Sequence, residues 1–222
     1  FHAGQVNGTS GYEEAASQGI VAGINAAQRA KGKPPVVFPR ANSYIGTLVD
    51  DLITKGAPEP YRMLTSRAEH RLLLRHDNAD ERLTPVGREA GVIDDESYDA
   101  FLERMGALAR HRTFLRTTRA PRALCERAGA ASKSTYADLL RRPGIEHKDL
   151  CIDDEQQHIG ERAAIEIKYE AYIQRQTIEI ERLAKAEHVA IPEGFDYAAC
   201  RGLSREASEK WAAQRPETLG QA

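Results

Sequence analysis

Cysteine is scarce in this chain, tryptophan scarcer, and neither falls in a pattern that metal or redox chemistry uses. Cys125, Cys151 and Cys200 lie far apart in an odd count with no Cys-x-x-Cys pair. That argues against a zinc site or a disulfide framework and fits a reducing cytoplasm. The seven histidines contain no His-x-x-x-His pair, so no metal site is expected. No stretch approaches the about 18 consecutive apolar residues of a membrane span, and no signal peptide is legible. Neither Gly-x-Ser-x-Gly nor a phosphate loop is present, which leaves nothing to support a stand-alone hydrolase. Charge of one sign is lacking too: 31 Lys and Arg against 33 Asp and Glu give −2, too little for bulk attraction to nucleic acid. At 41% hydrophobic and 29% charged over 222 residues, the composition is that of one or two modest domains.

The first 27 residues are the most informative. Phe1 to Gln5 reads as a short apolar strand, Val6 to Gly11 as a loop of small and hydroxyl residues, and Tyr12 to about Ala27 as a helix of small residues. Glycines at 4, 8 and 11 permit positive φ and close backbone approach. Ala15, Ala16, Gly19, Ala22, Gly23 and Ala26 let the helix lie tight against a sheet. The amides at the helix start are then open to an electron-rich ligand, and the segment reads as a cofactor-facing turn. An ordinary glycine-rich strand-to-helix connection has the same composition.

Basic residues cluster locally. Ser66-Arg67-Ala68-Glu69 fits a capping box that opens a helix from Arg67 to about His76, on which Arg67, Arg71 and Arg75 would form one cationic stripe. Between Arg104 and Arg127 stand seven arginines and one acid, Glu126. Both are candidate phosphate contacts, with Arg112 and Arg116 in the second, and both are also compatible with solvated faces paired to acids such as Asp77 and Asp80.

The remainder reads as helical. Residues 31–43 carry three prolines and form a connector. Tyr44 to Ile53 is a short helix closed by Gly56. Thr84-Pro85 opens another that Gly91 ends. Asp94 or Asp95 caps a helix with Tyr98, Phe101, Met105, Leu108, Arg112 and Leu115 along one seam. Ser134 to Arg142 makes a short helix. A long helix is expected from about Asp154 to Lys185, with Ile159, Ala163, Ile167, Ala171 or Tyr172, and Ile178 facing a partner. Ser204 begins the helix that carries Trp211. Phe1 in place of methionine, and a helix opened by Pro216 and cut short at Ala222, suggest a piece of a longer protein.

Taken together, Ala3-Gly4-Gln5-Val6-Asn7-Gly8-Thr9-Ser10-Gly11-Tyr12-Glu13-Glu14-Ala15-Ala16, Tyr44-Ile45-Gly46, Asp50-Asp51-Leu52, Glu59-Pro60-Tyr61-Arg62-Met63, Thr65-Ser66-Arg67-Ala68-Glu69, Asp77-Asn78-Ala79-Asp80, Asp138-Leu139-Leu140-Arg141-Arg142-Pro143, Ile167-Lys168-Tyr169-Glu170 and Gly202-Leu203-Ser204 resemble the glucose-inhibited division protein A family. His70 departs from the tyrosine usual there, and Leu64 from a frequent phenylalanine.

The resemblance implies a mainly α fold, a helical carboxyl-terminal domain preceded by the last strand and helix of an α/β FAD-binding domain. It divides the chain into 1–43, the end of the FAD domain and a linker; 44–150, a helical region with arginine-rich helices; and 151–222, a long helix and small capped helices. It implies an FAD-dependent enzyme, recharged by NADH, that adds a carboxymethylaminomethyl group to carbon 5 of tRNA wobble uridine. Gln5 becomes the FAD contact, with Gly4, Asn7, Gly8 and Thr9 on the same surface, and no catalytic residue lies in this chain. The helix from Tyr12 would turn its positive end toward the flavin and favour its anionic reduced form by roughly 0.3–1 kcal/mol. Arg67, Arg71, Arg75, Arg112 and Arg116 become RNA contacts. The implied partners are tRNA, the GTPase of the same pathway and, for the intact enzyme, a second copy in a homodimer. The chain alone is expected to be inactive and to hold FAD weakly or not at all. A non-catalytic helical docking module is the alternative.

Overall fold

The computed structural model describes residues 1–152, 157–187 and 189–219, so the expected helix start near Asp154 and the last three residues lie outside the described part. The chain forms two compact units, Phe1–Ile173 and Gln174–Ala222. The break between them falls inside the long helix.

In the first unit, α1 (Tyr12–Ala30) is followed by α2 (Tyr44–Thr54). Ser43 caps α2, its hydroxyl accepting the Gly46 N–H at 2.9 Å. A side chain at Gly46 would stand 2.4 Å from the Phe38 and Pro39 carbonyl oxygens, so the connector crosses the head of α2 where only glycine leaves room.

Two expectations fail in this region. Phe1 to Gln5 is not a strand: Gly4–Asn7 is a 3-10 turn, and the nearest approach to a sheet is a single parallel bridge between Thr9 and Tyr61. A strand needs a neighbour to take its ladder hydrogen bonds, and among the described residues none lies alongside. The helix expected from Arg67 to His76 is also absent, replaced by short 3-10 turns at Thr65–Arg67 and His76–Asn78. Ser66 falls inside the first turn and caps nothing, so Arg67, Arg71 and Arg75 share no helix face.

Then come α3 (Ala79–Ala90), α4 (Asp95–Thr117), α5 (Arg122–Arg127), α6 (Tyr136–Leu140) and α7 (Gln157–Glu187). α3 starts ahead of its expected cap, with Pro85 inside it, and ends at Gly91 with φ +81°. Asp94 caps α4 by accepting the Ser97 N–H at 2.8 Å. Phe101, Leu108 and Leu115 are buried along the predicted seam. Leu108 and Leu115 join Leu139, Leu140, Ala163 and Ile167 in the core shared by α4, α6 and α7. The α7 seam is buried only as far as Ile167; Tyr172 and Ile178 are exposed.

The second unit contains α8 (Arg205–Gln214), capped by Ser204, and a bridge of Ala190 to Thr218. Thr218 therefore pairs as extended chain where a helix opened by Pro216 was expected. Tyr197 meets both Phe195 and Trp211 edge to face. Among the described residues no helix is long and apolar enough to cross a membrane.

Candidate cofactor turn and the polar network behind it

The turn at residues 4–9 is bounded by two glycines in the left-handed region, Gly4 at φ +81° and Gly8 at φ +85°. Gly8 is doubly constrained, since a side chain there would meet the Ala57 methyl at 2.5 Å. Between them the side chains of Gln5, Val6 and Asn7 are exposed, while Thr9 is buried. Gln18 of α1 holds both ends: its Oε1 accepts the Gly4 N–H at 2.8 Å and its Nε2 donates to the Thr9 hydroxyl at 3.3 Å. Asn7 is folded back, its amide donating to the His2 carbonyl at 2.8 Å. The head of α1 carries no side-chain cap.

This donor set suits a flavin. Gln5 offers a free amide that can both donate and accept, and the backbone around it is kept low by glycine. An apolar cavity of about 570 Å³ lies between α1 and α2, with Val21, Ala22, Leu52 and Ile53 in its walls. Of the five expected contacts only Asn7 borders it. The small-residue face of α1 is bare here, with nothing within 4 Å of a side chain added at Gly19 or Gly23.

The turn is backed by carboxylates that sequence reasoning missed. Glu14, 3% exposed, accepts the Met63 N–H at 2.9 Å and the Arg62 Nε–H at 3.2 Å. Asp51, 1% exposed, accepts from Arg40 and Lys55 at 2.7 Å each and from the Tyr61 hydroxyl at 2.8 Å. Arg67 lies 4.5 Å over the Tyr61 ring and 3.8 Å from Asp51. Arg40 also donates to Glu69 at 2.6 Å. A signal existed in the polar positions Glu14, Gln18, Asn25 and Gln28, which share the inward side of α1. Their helical spacing was hidden by the more conspicuous small residues.

The Met63 amide, opposed by burial and helped by Arg62, holds the Glu14 carboxyl below the usual value of 4.5. For Asp51, burial pushes upward, but Lys55, Arg40 and Tyr61 outweigh it and the carboxyl stays below 3.8. In Glu69, burial is likewise overcome by Arg40. Burial and the Asp51 charge push the Tyr61 phenol well above its ordinary range. Each of these carboxylates binds its proton more weakly folded than unfolded. Their contribution is therefore complete above the ordinary values and is lost as pH falls through the depressed ones. The urea midpoint is expected to drop as pH falls below about 4.5, with a shallower acid limb in Glu14→Gln and Asp51→Asn. An acid limb identical in both variants and the wild type would show that the network adds nothing.

Most of the arginines expected to meet RNA already have carboxylate partners. Arg75 pairs with Asp77 at 2.8 Å. Arg112 binds Glu166, with Nη2 to Oε1 at 2.7 Å, and Glu81 at 3.2 Å. Arg162 ties Asp80 and Glu81 to the same group at 2.9 and 2.6 Å. Arg116 shares Glu170 with Arg141, each at 2.9 Å. Arg71 is exposed and holds no ion pair among the described residues, as do Arg104, Arg110 and Arg119. Cys125 is buried and Cys151 and Cys200 are exposed, all as free thiols.

The profile of the glucose inhibited division protein A family matches residues 1–34. Those of the tRNA modifying enzyme MnmG/GidA C-terminal helical domain and C-terminal helical bundle match 95–177 and 179–222. Among curated proteins, the whole chain is 47% identical to the tRNA uridine 5-carboxymethylaminomethyl modification enzyme MnmG of Pelobacter propionicus and 49% identical to that of Geobacillus kaustophilus. It spans 37% of the length of each. The structure of Aquifex aeolicus GidA in its form II crystal superposes with a TM-score of 0.76 at 41% identity, covering the whole chain and 36% of that protein. With three family profiles matched in order along the chain and a solved relative superposing over all of it, the chain belongs to the MnmG/GidA family.

Proposed function

We propose that this chain works as the carboxyl-terminal part of a cytoplasmic, FAD-dependent enzyme that adds a carboxymethylaminomethyl group to carbon 5 of tRNA wobble uridine. The observation that carries this reading is the continuous likeness, over all of the chain, to enzymes named for that modification. Gln5 would hold the flavin, with Gly4, Asn7 and Gly8 beside it on the same surface, and Thr9, buried and bound to Gln18, would support the turn from behind. FAD, when bound, supplies the redox chemistry, and NADH recharges it. The chain's own part is to present the Gln5 amide, keep the turn's backbone close through its glycines, and aim the head of α1 at the cofactor. The helical part meets tRNA and the partner GTPase, and the intact enzyme is a homodimer.

Of the arginines expected to contact RNA, Arg71 is the one whose charge is not already spent. Arg67 retains part of its surface, while Arg75, Arg112 and Arg116 would have to leave their carboxylates. Arg71→Ala in the intact enzyme is expected to weaken tRNA binding and to flatten the dependence of log affinity on log salt by about 0.7–0.9. Gel-shift titrations at several salt concentrations measure both. The extensive pairing of the arginines favours a second reading, a helical docking module without an RNA role. An unchanged salt slope in Arg71→Ala would support it.

A further inference from the structure

The turn at residues 4–9 has little that would stiffen it from within. Two of its residues are left-handed glycines, no strand lies beside it among the described residues, and three consecutive side chains point to solvent. Its shape is imposed from outside, by Gln18 of α1, which ties Gly4 and Thr9, and by the segment Tyr61–Met63. The Tyr61 N–H donates to the Gly8 carbonyl at 2.7 Å, beside the bridge to Thr9. Two residues on, the Met63 N–H donates to Glu14 in the first turn of α1. One short strap therefore grips the turn at its exit and the helix at its entry. The strap is itself fixed from α2, because the Tyr61 ring is 4% exposed and its hydroxyl is held by Asp51.

Glu14 is costly where it stands. A carboxylate 3% exposed, whose cationic neighbour Arg62 is 63% exposed at the side chain, gives up hydration that the ion pair only partly restores. Packing gives no reason for it, since an apolar side chain would fill the space at lower cost. Its Oε2 is buried without a partner and occupies the place where a side chain on Gly11 would begin, 1.9 Å from that position. The absence of a side chain at Gly11 is what admits it.

We propose that Tyr61–Met63 is a clamp on the cofactor turn and that Glu14 is the positioning residue through which it acts on flavin binding without touching the flavin. This rests on the reading of residues 4–9 as an FAD contact. Through Asp51, Tyr61 and Gly8, the clamp also makes α2 part of the cofactor site's framework.

The test uses the intact enzyme that carries this chain, stripped of FAD. Glu14→Ala is expected to weaken FAD affinity, followed by quenching of flavin fluorescence, by about tenfold, as for one lost charge-assisted hydrogen bond. It is also expected to speed hydrogen exchange at the amides of residues 8–11 before any FAD is added. Glu14→Gln keeps an acceptor for the Met63 N–H and is expected to return both readings to within about threefold of wild type. Gly11→Ala, whose φ of −79° suits alanine, must displace the carboxylate and is expected to reproduce the FAD loss even if Glu14→Ala does not fold. Wild-type affinity in Glu14→Ala or Gly11→Ala, or a loss that Gln fails to rescue, overturns the proposal while leaving the cofactor reading intact. Wild-type enzyme that takes up no FAD overturns both.

Discussion

Asp51→Ala is expected to lower the stability of the first unit by about 3–5 kcal/mol and its thermal midpoint by about 10 °C. The side chain is 1% exposed and satisfies a buried phenol, an arginine and a lysine at once. Their positions decide how the cost divides. Lys55 is 60% exposed and regains water, so its pair contributes little. Arg40 is 24% exposed and keeps Asp50 and Glu69, so it is weakened but not stranded. The Tyr61 hydroxyl suffers most: it is buried, and its remaining neighbour is the Met63 sulfur at 3.5 Å, a poor acceptor. An unsatisfied buried hydroxyl costs about 1–3 kcal/mol, and the loss of the arginine's innermost partner supplies the remainder. Asp51→Asn keeps one acceptor and is expected to fall between alanine and wild type. Urea unfolding followed by circular dichroism measures all three. A loss below about 1 kcal/mol in Asp51→Ala would mean that the network is decoration.

How legible this was in the sequence depends on range. Features decided within a few residues were readable: the Asp94 and Ser204 caps, the Gly91 stop, the apolar seam of α4. Ser66-x-x-Glu69 shows where local reading breaks down. The same motif that starts a helix elsewhere sits here beside Asp51 and Arg40, and Arg40 takes Glu69 from across 29 residues. Without its glutamate the box cannot close, and the backbone turns as 3-10 instead. The stripe of Arg67, Arg71 and Arg75 was lost with that helix; Arg75 meets Asp77 two residues on, a partner the sequence did offer, whereas Arg112 and Arg116 of the second cluster find acids 54 residues away, a distance no window registers. Of the turn at residues 4–9, its glycines and its position before α1 were legible. The clamp was not, since Glu14 meets Met63 across 49 residues. Both partners did stand inside strings that carried the family resemblance, which marked them as notable without saying that they touch.

Leu139→Ala is the companion test for the helical core, with an expected loss of about 3–4 kcal/mol. α6 has five residues, far below the length at which a helix holds itself together in water. Two things could keep it folded: its cap or its core. Thr135 and Asp138 form a capping box, with the Asp138 N–H donating to the Thr135 hydroxyl at 3.2 Å and the Thr135 N–H donating to the Asp138 carboxylate at 2.9 Å, a device worth about 1 kcal/mol. Against it stand Tyr136, Ala137, Leu139 and Leu140, all buried between α4 and α7, with Leu139 0% exposed. Removing three carbons there leaves a cavity that helices tied by the Arg112–Glu166 and Arg141–Glu170 pairs cannot close by sliding together. Leu139→Met, which keeps the volume, is expected to cost less than about 1.5 kcal/mol, and Thr135→Ala about 1 kcal/mol. Chemical denaturation of the three variants ranks them. If Thr135→Ala proves as damaging as Leu139→Ala, α6 is held by its cap, and the core shared by α4, α6 and α7 is not what keeps this part of the chain folded.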